Sequence, residues 1–250
     1  MIAGRCPDLS TLNGLARERG LALPDGRTLA FVAPRSRLRA LDYERAVAGR
    51  GVIATREGNL HDAFNALAWL RFPRAKAALN AVHVRSAVAA TANARTRARD
   101  AATLLDESGL LLRCIDPGLV VLLRARAWRD LFWSRRDDVA RGMQPWVLGH
   151  GLAEKLLKPY RALTASVLIV GVAPIPAITE GKGAAADAAD EGTVDAMAAA
   201  MIAAPGFGPD LLTPLPVAAL PGWDTEDSGP GLFDDLSVFR PPVLCPPVLR

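Results

Sequence analysis

Ten of the chain's 19 prolines fall in residues 204–250. Proline has no amide N–H to donate, and its ring excludes it from helix interiors and from central strands. That stretch is expected to build no regular element, so the helices and the sheet must come from what precedes it. Trp223, Phe233 and Phe239 nonetheless need apolar surface to bury against. The tail, residues 205–250, is therefore expected to lie over the rest of the protein as a Pro-rich extended strap. Residues 1–175 are read as an α+β core, and residues 176–204 as a low-complexity acidic insertion leading into a helix near Thr193–Ala203. Together they make a helix-rich single domain of the α+β class, with a small sheet and the C-terminal strap.

Within the core the hydrophobic spacing sets the elements. Leu29 to Val32 reads as a short strand closed by Pro34, and Leu38 to Ala48 as a helix carrying Tyr43 and Glu44. Asn59 opens a helix through Leu70 or Phe72, with Leu60, Phe64 and Leu67 on its apolar side. Pro73 ends or restarts it, and Arg74 to Ala90 continues. Thr103 to Ile115 reads as a strand, a Glu-Ser-Gly turn and a second strand, Gly109 supplying the positive φ of the turn. Asp116-Pro117 starts a helix, Gly149 to Lys158 forms another, and Leu163 to Val172 is a buried strand. These elements do not alternate regularly, which argues against a doubly wound sheet.

Composition removes several classes. A chain that is 50% hydrophobic and 22% charged is not disordered. Cys6, Cys114 and Cys245 are too far apart for a local metal knuckle and too few for a paired disulfide framework. The longest apolar run, Val167 to Ile178, contains Pro174 and Pro176 and falls short of the roughly 20 residues of a membrane span. The first twenty residues lack the apolar run of a signal peptide. A cytoplasmic protein with no membrane partner is the expectation. Up to residue 170 there are 27 Lys+Arg against 15 Asp+Glu, and from residue 171 there are 3 against 11. Either the Arg-rich core meets nucleic acid or another polyanion, or the acidic second half neutralises its own domain.

Two polar clusters carry the chemistry. Asn59, His61, Asp62 and Asn65 fall at one helix start, with His61 and Asn65 sharing a face. His150 and Glu154 repeat the i,i+4 spacing at a second helix start, and Asp106 and Glu107 add two acids. Histidine and carboxylate on adjacent turns can ligate a divalent metal or act as an acid–base pair. The candidate catalytic residues are thus His61, Asp62, Asn65, His150 and Glu154. The candidate metal ligands are His61, Asp62, His150 and Glu154, and Arg56, Arg71 and Arg74 are candidate anion-binding residues. The structural reading of the same residues is a helix N-cap at Asn59, a dipole-favoured Asp62 and a hydrogen-bond network fixing the helix starts. His83, between Val82 and Val84, reads as a packing residue.

The run NLHDAFNALAWLRFPRAK, with LLDESGLLL, GHGLAEKLLKPYRALTA and the late LFDDLSVFRPP, resembles a proteobacterial family known as a domain of unknown function. The resemblance spans Phe31 to Pro242. It implies that the Pro-rich tail belongs to the same unit as the core, and it carries no activity. Ala63 departs from the family pattern, where an aromatic is usual. Ser166 does too, standing where a histidine is common. Two functions remain open at this point: a metal-assisted hydrolase with a divalent metal, acting on a phosphodiester or other anionic substrate, and a non-enzymatic protein that binds nucleic acid or a partner. The first requires His61 and His150 to meet in one cleft.

Overall fold

Consecutive leucines at 110, 111 and 112 point to alternate faces of a strand, so each face needs its own apolar cover. The computed structural model of the protein, which describes residues 6–36, 38–89, 96–114, 116–172, 183–220 and 229–241, supplies both. The strand β3 (Gly109–Cys114) lies in a four-stranded sheet with β4 (Met143–Val147), β5 (Thr164–Val172) and β6 (Leu212–Pro216), in the order β4-β3-β5-β6. β3 and β5 are parallel, and both edge strands are antiparallel to their neighbours. Leu110, Leu112, Val167 and Ile169 face a core closed by the helix α6 (Pro117–Arg124), Trp128, Leu131, Phe132 and the C-terminal strap. Leu111, Leu168 and Val170 face the other way, onto three helices: α4 (Pro73–Ala89), α5 (Arg97–Ser108) and α9 (Gly183–Ala203).

A third core holds the N-terminal part. There α1 (Leu9–Glu18), the parallel pair β1 (Ala30–Val32) and β2 (Val52–Ala54), and α3 (Leu60–Arg71) pack around Leu12, Phe31, Ile53 and Trp69. The connection between β1 and β2 is α2 (Ala40–Arg50), ended by Gly51 at φ 67°. A Cβ at Gly51 would sit 2.2 Å from the Thr28 carbonyl oxygen, so only glycine closes this turn. The remaining short helices are α7 (Arg136–Gly142) and α8 (His150–Lys155). The fold is a helix-rich α+β single domain, as expected. Among the described residues no helix is long and apolar enough to cross a membrane.

Three local expectations are corrected. Residues 103–108 are the last turns of α5, not a strand, and α5 runs straight into β3. Ala101, Ala102 and Leu105 are buried at helical spacing, a pattern invisible to a window that starts at Thr103. Gly109 has φ −69°, and glycine is required there because a Cβ would meet the Leu105 carbonyl oxygen at 2.2 Å. The helix expected near Thr193 begins at Gly183, since alanine favours helix whatever the acidic content. The tail does build a regular element: β6 accommodates Pro214 and Pro216 because it is an edge strand, paired on one side with β5 and with no strand on its other side among the described residues. The strap then returns over the first core, where Phe239 is buried and its ring packs against that of Phe233 at a 60° tilt. Trp223 and Cys245 lie outside the described residues.

Three acids of the second half pair with arginines of the first: Glu191 with Arg71, Asp210 with Arg97 and Asp234 with Arg129. The pairs lie at the surface and are of small energetic weight.

Candidate metal centre

Asn59 caps α3 by accepting a hydrogen bond on Oδ1 from the Asp62 amide at 3.0 Å. This fixes the first turn of the helix and with it the direction of His61. Asp62 uses its third helical position differently from a ligand. Its Oδ2 accepts from the Arg56 amide and Nε at 2.7 and 2.9 Å, and its Oδ1 from the Arg56 Nη2 at 2.9 Å. Burial raises the Asp62 pKa, but the three Arg56 contacts more than offset it and hold the carboxyl below its usual range. Both oxygens thus hold Arg56 at the cleft wall, and the group of side chains close enough to share an ion is formed without Asp62.

His150 arrives from the opposite side on α8. The glycines around it allow a close approach to the end of α5: a Cβ at Gly149 would lie 2.3 Å from the Gly109 nitrogen. One at Gly151 would lie 2.6 Å from Glu107 Oε2. The Gly-His-Gly triplet is therefore what sets His150 beside Glu107. The two histidines meet with Nε2 atoms 3.0 Å apart and rings edge to face at 76°. Glu107 Oε1 lies 3.7 Å from His150 Nε2. One ligand atom from each of His61, Glu107 and His150 falls within 4.8 Å of the others.

Each histidine has a carboxylate behind it. His61 Nδ1 is 2.9 Å from Glu154 Oε2, and His150 Nδ1 is 3.8 Å from Asp106 Oδ1. His150 is buried, and among the described residues its Nδ1 has no partner within hydrogen-bond distance. Burial drives its pKa down to about 4 against the opposing pull of Asp106, so the ring is neutral at pH 7. A neutral ring carries one proton. With a proton on one Nε2, the 3.0 Å contact between the rings is a hydrogen bond; with both protons on Nδ1, toward the carboxylates, the two Nε2 lone pairs meet and a cation beside them would relieve the repulsion. With Zn–N bonds of about 2.0–2.1 Å, two tetrahedral nitrogen ligands stand roughly 3.3 Å apart. Carboxylates that hold the outer N–H of ligating histidines are the usual supporting contacts of such sites.

Behind the two histidines and Glu107 runs a buried polar chain. Lys76 on α4 is 3% exposed; its ammonium donates to Asp106 and, at 2.9 Å, to Asn65 Oδ1. Asn65 Nδ2 donates to the Tyr43 hydroxyl at 2.9 Å, which also accepts from Trp69 Nε1 at 3.3 Å. Burial raises the Asp106 pKa, but Lys76 and His150 outweigh it and the carboxyl ionises below its usual range. Asn80 Nδ2 donates to the Glu44 carbonyl at 2.9 Å and to Glu44 Oε2 at 2.6 Å. Lys76→Met is expected to cost about 3–5 kcal/mol in chemical denaturation, because it strands the Asp106 charge. Lys76→Met combined with Asp106→Leu should recover most of that loss, and no recovery would mean the pair is not what Lys76 supports.

The cleft onto which the two histidines open has a volume of about 600 Å³ and is lined by Tyr43, Glu44, Arg56, His61, Asp62, Asn65, Asp106, Glu107 and His150 together with the apolar Pro34 and Leu38. Of the residues expected from sequence, His61, Asp62, Asn65 and His150 thus share one cleft, and Glu154 supports His61 from behind. Arg56 lines it. Arg71 and Arg74 do not: Arg71 turns to Glu191, and Arg74 lies by the alanine-lined groove between α4 and α9. Ser166 hydrogen-bonds Ser108 at 2.9 Å and also stays outside the cleft. Sequence reasoning missed Tyr43, Glu44, Lys76 and Asn80 as site residues. A signal existed for part of this group: Lys76, Asn80 and His83 stand at i, i+4 and i+7, a polar stripe on an otherwise alanine- and valine-rich helix. His83 is half-buried on that stripe, beside Lys76 and Asn80.

The comparison with curated proteins returns no match, and neither does that with solved structures. A family model does match. It covers residues 29–242, which takes in every residue of the cleft and the strap as far as Pro242, and its description is "Protein of unknown function (DUF3025)". The histidine pair, the carboxylates behind it and the Pro-rich strand that completes the sheet therefore all lie inside one family unit, and the chain belongs to the DUF3025 family.

Proposed function

We propose that the cleft binds a divalent transition-metal ion of the zinc class on His61, His150 and Glu107 and uses it to hydrolyse an anionic ester, a phosphodiester in the first instance. The observation that supports this most strongly is the facing Nε2 pair, each ring backed by its own carboxylate. Three protein ligands leave a coordination position open for water, the arrangement of a hydrolytic centre and not of a closed structural one. Two imidazoles favour zinc over magnesium, whose preference is for oxygen. Arg56, held in a fixed orientation by Asp62, offers a cation to the substrate anion. Bound metal would acidify its water and polarise the ester oxygen; the protein's part is to hold the ligands, exclude excess water and present Arg56.

The test is calorimetry of the protein with Zn²⁺, Mn²⁺ and Mg²⁺, followed by hydrolysis of bis(p-nitrophenyl) phosphate by the loaded protein. One equivalent of Zn²⁺ should bind, with Mg²⁺ far weaker. Indifference to all three ions would overturn the reading.

A further inference from the structure

A centre of this kind needs a group that takes a proton from the attacking water and returns it to the leaving oxygen, and that group cannot be a ligand. We infer that Glu44 is that group, an inference that rests on the hydrolase reading above. Geometry and elimination single it out among the carboxyl, imidazole and phenol side chains that line the cleft in the described residues. His61, Glu107 and His150 are the candidate ligands. Asp62 is held by Arg56, and Asp106 by Lys76. Burial pushes the Tyr43 phenol well above its usual range, leaving it a poor acid or base at pH 7. Glu44 remains. It sits on the cleft wall from α2, outside the ligand group, and Asn80 fixes its carboxylate by spanning its Oε2 and its own carbonyl.

The environment suits the task. Burial and then the Asp106 charge raise the Glu44 carboxyl to about 7, against the lowering pull of Asn80, Lys76 and Arg99. The groups facing it are thus Lys76 and Asn80 on α4, Asp106 and Arg99 on α5 and Tyr43 on its own helix; His83 shares the small pocket on its far side. A carboxyl poised near neutrality can both accept and donate. In the step, a water in the cleft gives one proton to the Glu44 carboxylate while its oxygen forms a bond to phosphorus. The phosphorus bond to the leaving oxygen breaks and that oxygen keeps the electron pair. The proton on Glu44 then passes to it, giving an alcohol and a phosphomonoester and returning the carboxylate. No oxidant or second substrate is needed.

Glu44→Gln keeps the size and the Asn80 contact while removing the exchangeable proton. Zn²⁺ calorimetry and bis(p-nitrophenyl) phosphate hydrolysis from pH 5 to 9, with Zn²⁺ saturating, should be run on both proteins. The variant should bind Zn²⁺ within about threefold of the wild type, lose about 100-fold or more in rate, and lose the limb of the pH profile near neutrality. Glu44→Ala should be similarly slow and recover about tenfold or more with added formate, which keeps the test valid if the glutamine variant folds poorly. A Glu44→Gln protein with wild-type rate and profile, or a Glu44→Ala protein indifferent to formate, overturns the assignment and leaves the metal centre standing. A wild type that takes up no Zn²⁺, or takes it up and hydrolyses no diester, overturns the hydrolase reading and Glu44's role together.

Discussion

A chain ending at residue 204 is expected not to fold. The loss includes β6, whose removal bares the hydrogen-bonding edge of β5 along Thr164 to Leu168. It also includes Phe207, Leu215, Val217 and Phe239, all buried. At roughly 1.5–3 kcal/mol for each large apolar side chain, these four contribute about 6–12 kcal/mol, which is on the order of the whole stability of a domain. The polar fastenings go as well: Trp128 Nε1 donates to the Arg240 carbonyl at 3.0 Å, and Arg129 pairs with Asp234. Far- and near-ultraviolet circular dichroism with a thermal melt would check this. The truncated chain should lose near-ultraviolet signal and cooperative melting, and a sharp transition at the wild-type midpoint would show that the strap is an appendage.

Glu44 gives a pH-dependent companion to that result. A carboxyl held at about 7 in the folded protein, against an ordinary 4.5, binds its proton more tightly folded than unfolded. The resulting stability is intact below about pH 4.5 and is lost as pH rises through 7. At pH 8 the cost reaches up to about 3 kcal/mol. Glu44→Gln should therefore melt several degrees above wild type at pH 8, by about 2–4 °C per kcal/mol in a chain of this size, and close to it at pH 4.5. An unaltered difference across that range would mean that Glu44 ionises as an ordinary surface acid does.

What could be read from residues alone was whatever local chemistry decides. The Asn59 cap with Asp62 at the third position, the restart at Pro73 and the Asp116-Pro117 start are short-range hydrogen-bonding and ring constraints, and each stands in the structure where the spacing puts it. The two histidines drew notice for the same reason, being placed at helix starts beside acids. What brings them together is not local. His61 and His150 are 89 residues apart and meet because α3 packs on α8 and two glycines let α8 press on the end of α5. Glu107 stood out as one of two acids near the clusters, but was placed on a turn and not at a helix end, because its helix was cut at Thr103. Lys76 and Asn80 were hidden for a different reason: charge and amide on a helix are normally read as its solvated face. Here that face points into the protein, and only their partners Asp106 and Glu44 reveal it. The prolines of β6 misled in the opposite sense, since an edge position removes the penalty that they carry elsewhere.

His61→Ala separates a working metal centre from a structural polar cluster more cleanly than any other single change. The side chain is 39% exposed and its partner Glu154 is 40% exposed, so the contact between them has little weight in folding. The cap at Asn59 does not use the imidazole, and α3 should start at Leu60 without it. His150→Ala would be less clean, because that ring is buried and its loss leaves a cavity beside Asp106. If His61 ligates, its removal takes one of three ligands and Zn²⁺ affinity should fall by more than the roughly 10–100-fold that loss of a supporting contact such as Glu154→Gln would bring. The melting temperature without metal should barely change, while the rise in melting temperature that Zn²⁺ gives the wild type should disappear, since an ion that binds only the folded form stabilises it in proportion to its affinity. Under the structural alternative the signs reverse: the variant melts early, and neither protein responds to Zn²⁺. Melts of wild type, His61→Ala and Glu154→Gln with and without Zn²⁺, beside calorimetry on the same three, distinguish the two outcomes, and the reversed pattern would end the metal reading.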